Sequence, residues 1–318
     1  VDLEASEKGL HQDFLVVEES LRIAVTVGDP AGVGPEVVRA ALDSPDLDNT
    51  FPFEVLGSGR GPGFEPGHPS VEGARMAMDS LETAARGCLE GRFAAVVTGP
   101  IHKARMRAVG FDYPGQTEFF AERFGVSDYT MCLTGSSLTV ALVTAHVPLC
   151  EVPRLVTVEG ILRTGRQLAA FLSIRIGTFA ESRKPRIAVA GLNPHAGEAG
   201  LLGKEDADIV EPGVRLLKAL GVAEFSGPWS PDTIFHRAAA GEFDGVVCMY
   251  HDQGLIPLKL LAFYEGVNVT LGLPFPRTSP DHGTAFELAG RGGADARSMV
   301  AAMNLASELA RKQRFPLR

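Results

Sequence analysis

Long hydrophobic runs are missing from this chain. No apolar stretch approaches the roughly 20 residues that a membrane helix needs, so no membrane partner is expected. Cysteine is scarce, with four residues in 318, at 88, 132, 150 and 248, and no paired spacing among them. That excludes a disulfide scaffold and the close cysteine pairs of a structural zinc site. Cys132 and Cys248 sit inside apolar runs, so buried reduced thiols are expected, which suits a cytoplasmic location. Basic residues are outnumbered, 30 Lys plus Arg against 39 Asp plus Glu, for a net charge of −9. A nucleic-acid partner would want a basic face, so none is expected. An anionic small molecule would instead need a local cationic pocket. Val1 to Ser20 lack the basic start and apolar centre of a signal peptide and are read as a poorly ordered extension. Internal repeats and low-complexity segments are absent as well.

What the chain does have is regular alternation. Strand-like apolar runs at Ile23–Val27, Phe53–Leu56, Phe93–Val97 and Arg186–Ala190 are separated by helix-like stretches at 35–42, 71–90, 158–176, 206–220 and 298–311. Such alternation predicts an α/β fold of parallel strands with helices on both faces, and the length allows two domains.

Three of the eight histidines follow strand-like runs: Thr139–His146, Arg186–His195 and Gly245–His251. Ligands bind beyond the carboxyl ends of strands in open α/β sheets. A lone histidine there is more often structural. Three in the same context point to one divalent metal, and their wide separation in sequence points to a catalytic rather than a finger-type site.

Other segments carry polar groups at strand-to-helix turns. Gly28-Asp-Pro-Ala-Gly-Val-Gly-Pro-Glu36 is glycine-rich, with Pro35 suited to the first helical position, but it lacks the dinucleotide fingerprint. A tight turn is as good an account of it as a ligand loop. Thr98 and Lys103 can serve an anion or a helix cap, and Gln116 and Thr117 can donate to a phosphate, with Thr117 also suited to a helix N-cap. Lys259 lies awkwardly between leucines, and Arg277 sits in a Pro-rich loop where it can fork onto a phosphate or carboxylate. Asn268 falls between them. Thr278 to Gly292 packs small donors ahead of Gly290-Arg-Gly292, a composition suited to a nucleotide contact.

Together these segments resemble the 4-hydroxythreonine-4-phosphate dehydrogenase family of the vitamin B6 pathway. The motifs are Gly28–Glu36, Thr98-Gly-Pro-Ile-His-Lys103, Leu192-Asn-Pro-His-Ala-Gly-Glu198, Met249-Tyr-His-Asp-Gln-Gly254, Asn268–Ser279 and Asp281-His-Gly-Thr-Ala285, in family order from about Ile23 to the C-terminus. The glycine turn and the Asp281–Gly290 loop are more distantly similar to those of isocitrate and isopropylmalate dehydrogenases.

The resemblance implies two α/β/α domains with the active-site cleft between them, of the isocitrate/isopropylmalate dehydrogenase type rather than a Rossmann domain. The expected division is 21–130 plus 267–318 for the nucleotide and 131–266 for metal and substrate. The resemblance also implies a homodimer with a shared active site, in which one metal histidine crosses from the partner. His146, His195 and His251 become the metal ligands, with zinc expected first and magnesium, cobalt or manganese as alternatives. Gln116, Thr117, Lys259, Asn268 and Arg277 become contacts to a small phosphorylated substrate. Gly28, Gly32, Gly34, Asp281, Gly283 and Thr284 become contacts to NAD or NADP. Asp232, Asp252 and Lys259 are the candidates for orienting ligands or moving protons, with a helix cap as the competing role for Asp232.

The implied reaction is metal-dependent oxidation of 4-phosphooxy-L-threonine followed by decarboxylation. Alternatives are a sister dehydrogenase of a four-carbon sugar-acid phosphate or of a dihydrodiol, and a noncatalytic metal-dependent sensor of phosphorylated metabolites. Two departures bear on this. Gln116 stands where the family usually has His and cannot be cationic, and the Leu56–Val71 connection is short relative to the family.

Overall fold

The structure, a computed structural model, describes residues 21–57, 64–177 and 183–314. The expected N-terminal extension therefore lies outside the described residues. The described residues form two compact units, divided at 112/113, 282/283 and 294/295, with 283–294 belonging to the first.

In the first unit, the apolar run at the start of the described chain forms β1 (Arg22–Thr26), followed by α1 (Gly34–Leu42), β2 (Phe53–Leu56), α2 (Val71–Leu89), β3 (Phe93–Thr98) and the short α3 (Lys103–Arg107). β1 pairs in parallel with β2 on one side and β3 on the other. β1 and β3 are apolar along most of their length because both faces are covered. Ser70 caps α2, its hydroxyl accepting the Gly73 N–H at 3.0 Å. Ala74, Ala77, Leu81, Ala84, Ala85 and Cys88 fall at helical spacing along the buried face of α2.

The second unit runs α4 (Gln116–Arg123), β4 (Thr130–Thr134), β5 (Thr139–Leu142), α5 (Val152–Leu155), α6 (Val158–Ile176), β6 (Arg186–Ala190), α7 (Glu211–Leu220), β7 (Glu224–Trp229), α8 (Pro231–Ala239), β8 (Gly245–Cys248), α9 (His251–Ala262), β9 (Val267–Leu271), β10 (Arg277–Pro280) and α10 (Arg297–Arg314). Its strands lie in the order β10-β9-β4-β5-β8-β6-β7. From β5 to β7 they are parallel, as the alternation predicts. The β10–β9, β9–β4 and β4–β5 pairs are antiparallel, which the alternation does not predict. For β4–β5 and β9–β10 the reason is connection length: Gly135–Leu138 and Gly272–Pro276 are too short for the crossover that a parallel pair requires.

The resemblance implies boundaries at 130/131 and 266/267; pairing of β9 with β4 keeps residues 267–282 in the second unit, and the packing units divide at 112/113 and 282/283. The second core joins Val140, Leu142, Ala188, Ala190, Val246 and Cys248 of the sheet to Ile234 and Ala238 of α8 and Leu255 and Leu258 of α9. Among the described residues no helix is long and apolar enough to cross a membrane.

Candidate active site

Backbone stitching brings two of the three histidines together. Beyond β5, Val143 N–H donates to Cys248 O at 2.9 Å, and the Thr144 hydroxyl donates to Met249 O at 2.7 Å. The loop after β5 is thereby tied to the end of β8, where His251 opens α9. The buried Gln253 side chain accepts from Met249 N–H at 2.6 Å and donates to Gly191 O at 2.7 Å, fastening β8 to the end of β6. His146 and His251 end with ring centroids 5.5 Å apart, in a hollow shared with Val147, Leu149 and Tyr250. Asp252 lies 2.7 Å from His251 Nδ1. A carboxylate on that nitrogen fixes the ring and leaves Nε2 to face a ligand.

His195 is placed elsewhere in the same unit. It begins a run of six residues with positive φ, from His195 at 53° to Gly200 at 91°. Its neighbour in charge is Asp232, whose pKa is held below the usual carboxylate range first by the Ser230 hydroxyl and further by His195. Asp232 is exposed inside the first turn of α8, and Ser230, not Asp232, occupies the cap position. Among the described residues, no group of three His, Cys, Asp or Glu side chains is placed to hold a metal ion. Within one chain the set is therefore two imidazoles with an orienting carboxylate. That donor chemistry fits a divalent metal.

The substrate candidates separate into two clusters. The two-residue period of β9 puts Asn268 and Thr270 on one face, and antiparallel pairing of Ser279 with Asn268 places Arg277 on the same face. Arg277 is buried, only 4% exposed. It donates through Nη1 to Thr117 Oγ1 and Thr270 Oγ1, both at 3.4 Å, and those hydroxyls are 3.2 Å apart. Burial lowers the Arg277 pKa to about 10, and the charge of Glu118 opposes that shift. Gly115 takes the cap of α4, so Thr117 is released from the capping role that its position predicts. Asn268 Oδ1 is buried without a partner among the described residues. In the second cluster, Lys259 Nζ lies 2.9 Å from Asp281 Oδ2, and Asp281 N–H donates to Ser298 Oγ at 3.0 Å. Gln116 begins α4 and is half-buried.

In the first unit the glycine turn is shaped by close backbone approach. A Cβ on Gly28 would lie 2.1 Å from Pro100 O, one on Gly34 1.9 Å from Val27 O, and one on Gly32 2.8 Å from Thr284 O. Val33 N–H donates to Thr284 O at 2.9 Å, and Gly290 N–H to Glu36 Oε2 at 3.1 Å, so the 283–294 segment packs on this turn. Gly283 is exposed, with nothing within 4 Å of a Cβ built there. Asp29 is buried, which raises its pKa against the opposing effects of the Ala31 N–H, His102 and Arg105.

The profile of the family described as pyridoxal phosphate biosynthetic protein PdxA matches residues 33–306. The chain belongs to this family. It is 44% identical over 330 residues to the 4-hydroxythreonine-4-phosphate dehydrogenase of Geobacter metallireducens, covering 91% of this chain and 96% of that protein. The crystal structure of the Klebsiella pneumoniae 4-hydroxythreonine-4-phosphate dehydrogenase superposes with a TM-score of 0.79 at 38% identity, covering 92% of this chain and all of the other. A terephthalate 1,2-cis-dihydrodiol dehydrogenase from Burkholderia xenovorans follows at a TM-score of 0.64 and 27% identity, covering 91% of this chain and 98% of that one. A β-decarboxylating dehydrogenase from Thermococcus kodakarensis, 18% identical at a TM-score of 0.50, shares the fold alone.

As a PdxA-family member the chain is an oxidoreductase with the mixed α/β fold that its motifs imply, which removes the support for a noncatalytic sensor. Two residues that contact or support the candidates are not singled out by sequence reasoning. Thr270 is one strand period from Asn268 and can be found by that spacing. Asp206, buried beneath the His195 turn, reads from sequence only as the start of a helix.

Proposed function

We propose that this PdxA-family chain oxidises 4-phosphooxy-L-threonine with NAD or NADP to 2-amino-3-oxo-4-phosphooxybutanoate, which loses CO2 to give 3-amino-2-oxopropyl phosphate. The observation that carries the substrate class is Arg277, a buried guanidinium flanked by the hydroxyls of Thr117 and Thr270. A buried cation ringed by donors is suited to a phosphate oxygen set, and anchoring there positions the rest of the molecule remotely from the reacting carbon. The Asn268 side chain, on the same strand face, offers an amide to the substrate's polar groups.

His146 and His251 of one chain, joined by His195 of a second copy, would hold a divalent cation, zinc by donor type. When bound it supplies Lewis-acid polarisation of the C3 hydroxyl. Oxidation then moves a hydride from C3 to the nicotinamide and the hydroxyl proton to the chain. Asp252 orients His251, and Asp232 stands beside His195, so these carboxylates are the relay for that proton. The Lys259 ammonium, paired with Asp281, donates to the carbon that has lost CO2. Gly28, Gly32, Gly34, Asp281, Gly283 and Thr284 are assigned to the nucleotide. An exposed apolar face on and just after α9, with Ile256, Leu260 and Phe263 at 66%, 84% and 65% exposure, supports a homodimer. The free cysteines support a cytoplasmic location.

Gln116 favours a second reading on the same site, oxidation of a four-carbon sugar-acid phosphate, because it cannot supply the charge of a protonated His. Arg277 argues against a neutral dihydrodiol. The test is NADH formation with 4-phosphooxy-L-threonine beside D-threonate 4-phosphate, with His195→Ala as control. Preference for the amino acid, lost in the variant, supports the proposal; turnover of the threonate ester alone moves the function to sugar-acid oxidation.

A further inference from the structure

The run from His195 to Ala199 holds φ values of 53°, 52°, 78°, 43° and 55°. Only the central residue, Gly197, adopts this region without crowding its Cβ against the following carbonyl. Four consecutive-turn residues with side chains in this region persist only where the surroundings over-determine them.

The surroundings here centre on Asp206. Its carboxylate is 1% exposed and accepts Leu192 N–H at 2.7 Å, Asn193 N–H at 3.0 Å and Asn193 Nδ2 at 3.0 Å. Glu205 adds a second acceptor to Asn193 Nδ2 at 2.9 Å. The loop is built closely around this carboxylate. A Cβ on Gly191 would lie 2.9 Å from Asp206 Oδ1, and one on Gly197 3.4 Å from Asp206 Oδ2. Among the described residues Asp206 makes no ion pair, so a buried charge is devoted to backbone and amide N–H groups at the root of the turn. His195 itself is exposed. A strained turn held rigidly from beneath, with an outward imidazole at its head, is the construction expected for delivering a ligand to something outside the unit's own core.

We propose that Asp206 is a positioning residue: its carboxylate locks the left-handed turn and so fixes the direction in which His195 is presented. The inference rests on the proposed role of His195 as a metal ligand. Asp206 touches neither substrate nor metal and acts only through the turn.

The test uses the full chain, with Zn2+ or Co2+ titrated alone as the probe, and hydrogen exchange at 195–199 as a second readout. Asp206→Asn weakens metal affinity by about tenfold or more, accelerates exchange at 195–199, and leaves KM for NAD unchanged. Asp206→Ala does the same more strongly. Adding Glu198→Gly and Ala199→Gly to Asp206→Ala restores much of the affinity, because glycine accepts the left-handed region without the clamp. Unchanged metal affinity in Asp206→Asn, while His195→Ala loses it, overturns the role of Asp206 alone. Lost affinity that the glycines do not restore also overturns it, because Asp206 is then an ordinary structural residue. Wild-type metal affinity in His195→Ala overturns the reading of His195 itself, and the inference falls with it.

Discussion

Arg277 gives the clearest expectation for a single residue. Its cation is buried beside hydroxyls, and burial has already pulled its pKa down to about 10. It is therefore charged at neutral pH and carries a desolvation cost that an arriving phosphate offsets. Arg277→Met is expected to raise KM for the phosphorylated substrate by roughly tenfold to a hundredfold, the equivalent of about 1.5–3 kcal/mol for a charge-assisted hydrogen bond. Its melting temperature should hold or rise, because a costly buried charge has gone. Steady-state kinetics with thermal melting separates this from simple unfolding, which would lower kcat and the melting temperature and leave KM unchanged. The sign of the pH effect follows from a depressed base: above about pH 10 the unfolded chain holds a proton that the folded chain has released, so stability from this group rises only in that alkaline range. Substrate affinity should not vary through Arg277 near neutral pH. Much of this cluster is legible in sequence, since Asn268 and Arg277 stand in one motif and Thr117 is a polar donor at a helix start. Thr270 is reachable only through its two-residue spacing from Asn268, and Asp206 is not, because its role arises from loop closure, which no local pattern encodes.

Turns and strand ends set the expectations for elements. The glycine turn after β1 has a packing reason independent of any ligand, since Gly34 sits against Val27 O. Gly34→Ala is expected to cost roughly 2–3 kcal/mol by overpacking. Gly283→Ala, in open space, should leave stability unchanged but raise KM for the nucleotide if the 283–294 segment contacts it. Urea unfolding and nucleotide kinetics on the two variants tell packing from binding. A second expectation concerns Asp244, which holds the start of β6. It accepts Arg186 N–H at 2.7 Å and the Arg183 guanidinium at 2.6 Å. Burial raises its pKa, but the Arg183 and Arg186 hydrogen bonds outweigh that and bring it to about 2. A depressed carboxylate stabilises the fold above its unfolded pKa, and that contribution is lost as pH falls from about 4 toward 2. Asp244→Asn should therefore lower stability by about 1–2 kcal/mol at pH 7 and flatten the acid limb, measured by denaturant unfolding across pH. Helices α1, α2, α6, α7 and α10 and most of the parallel strands are legible here, because apolar period and length agree. The antiparallel β4, β9 and β10 are not, because their direction depends on connection length and pairing.

Assembly is where sequence pattern alone says least. A single chain brings His146 to His251 but places His195 on a separate turn, and only family resemblance anticipates a second copy. A shared site makes a quantitative prediction. Mixing inactive His195→Ala with inactive His251→Ala, after subunit exchange, should restore about a quarter of wild-type activity, because half of the dimers are hybrids and each hybrid has one intact site. No recovery would mean that each chain completes its own site.

The central claim is tested most directly by product stoichiometry. With 4-phosphooxy-L-threonine, NAD and divalent metal, NADH and CO2 should form in equal amounts, and both should stop when the metal is chelated. Equal turnover of the unphosphorylated amino acid, or NADH formation that survives chelation, would contradict the account.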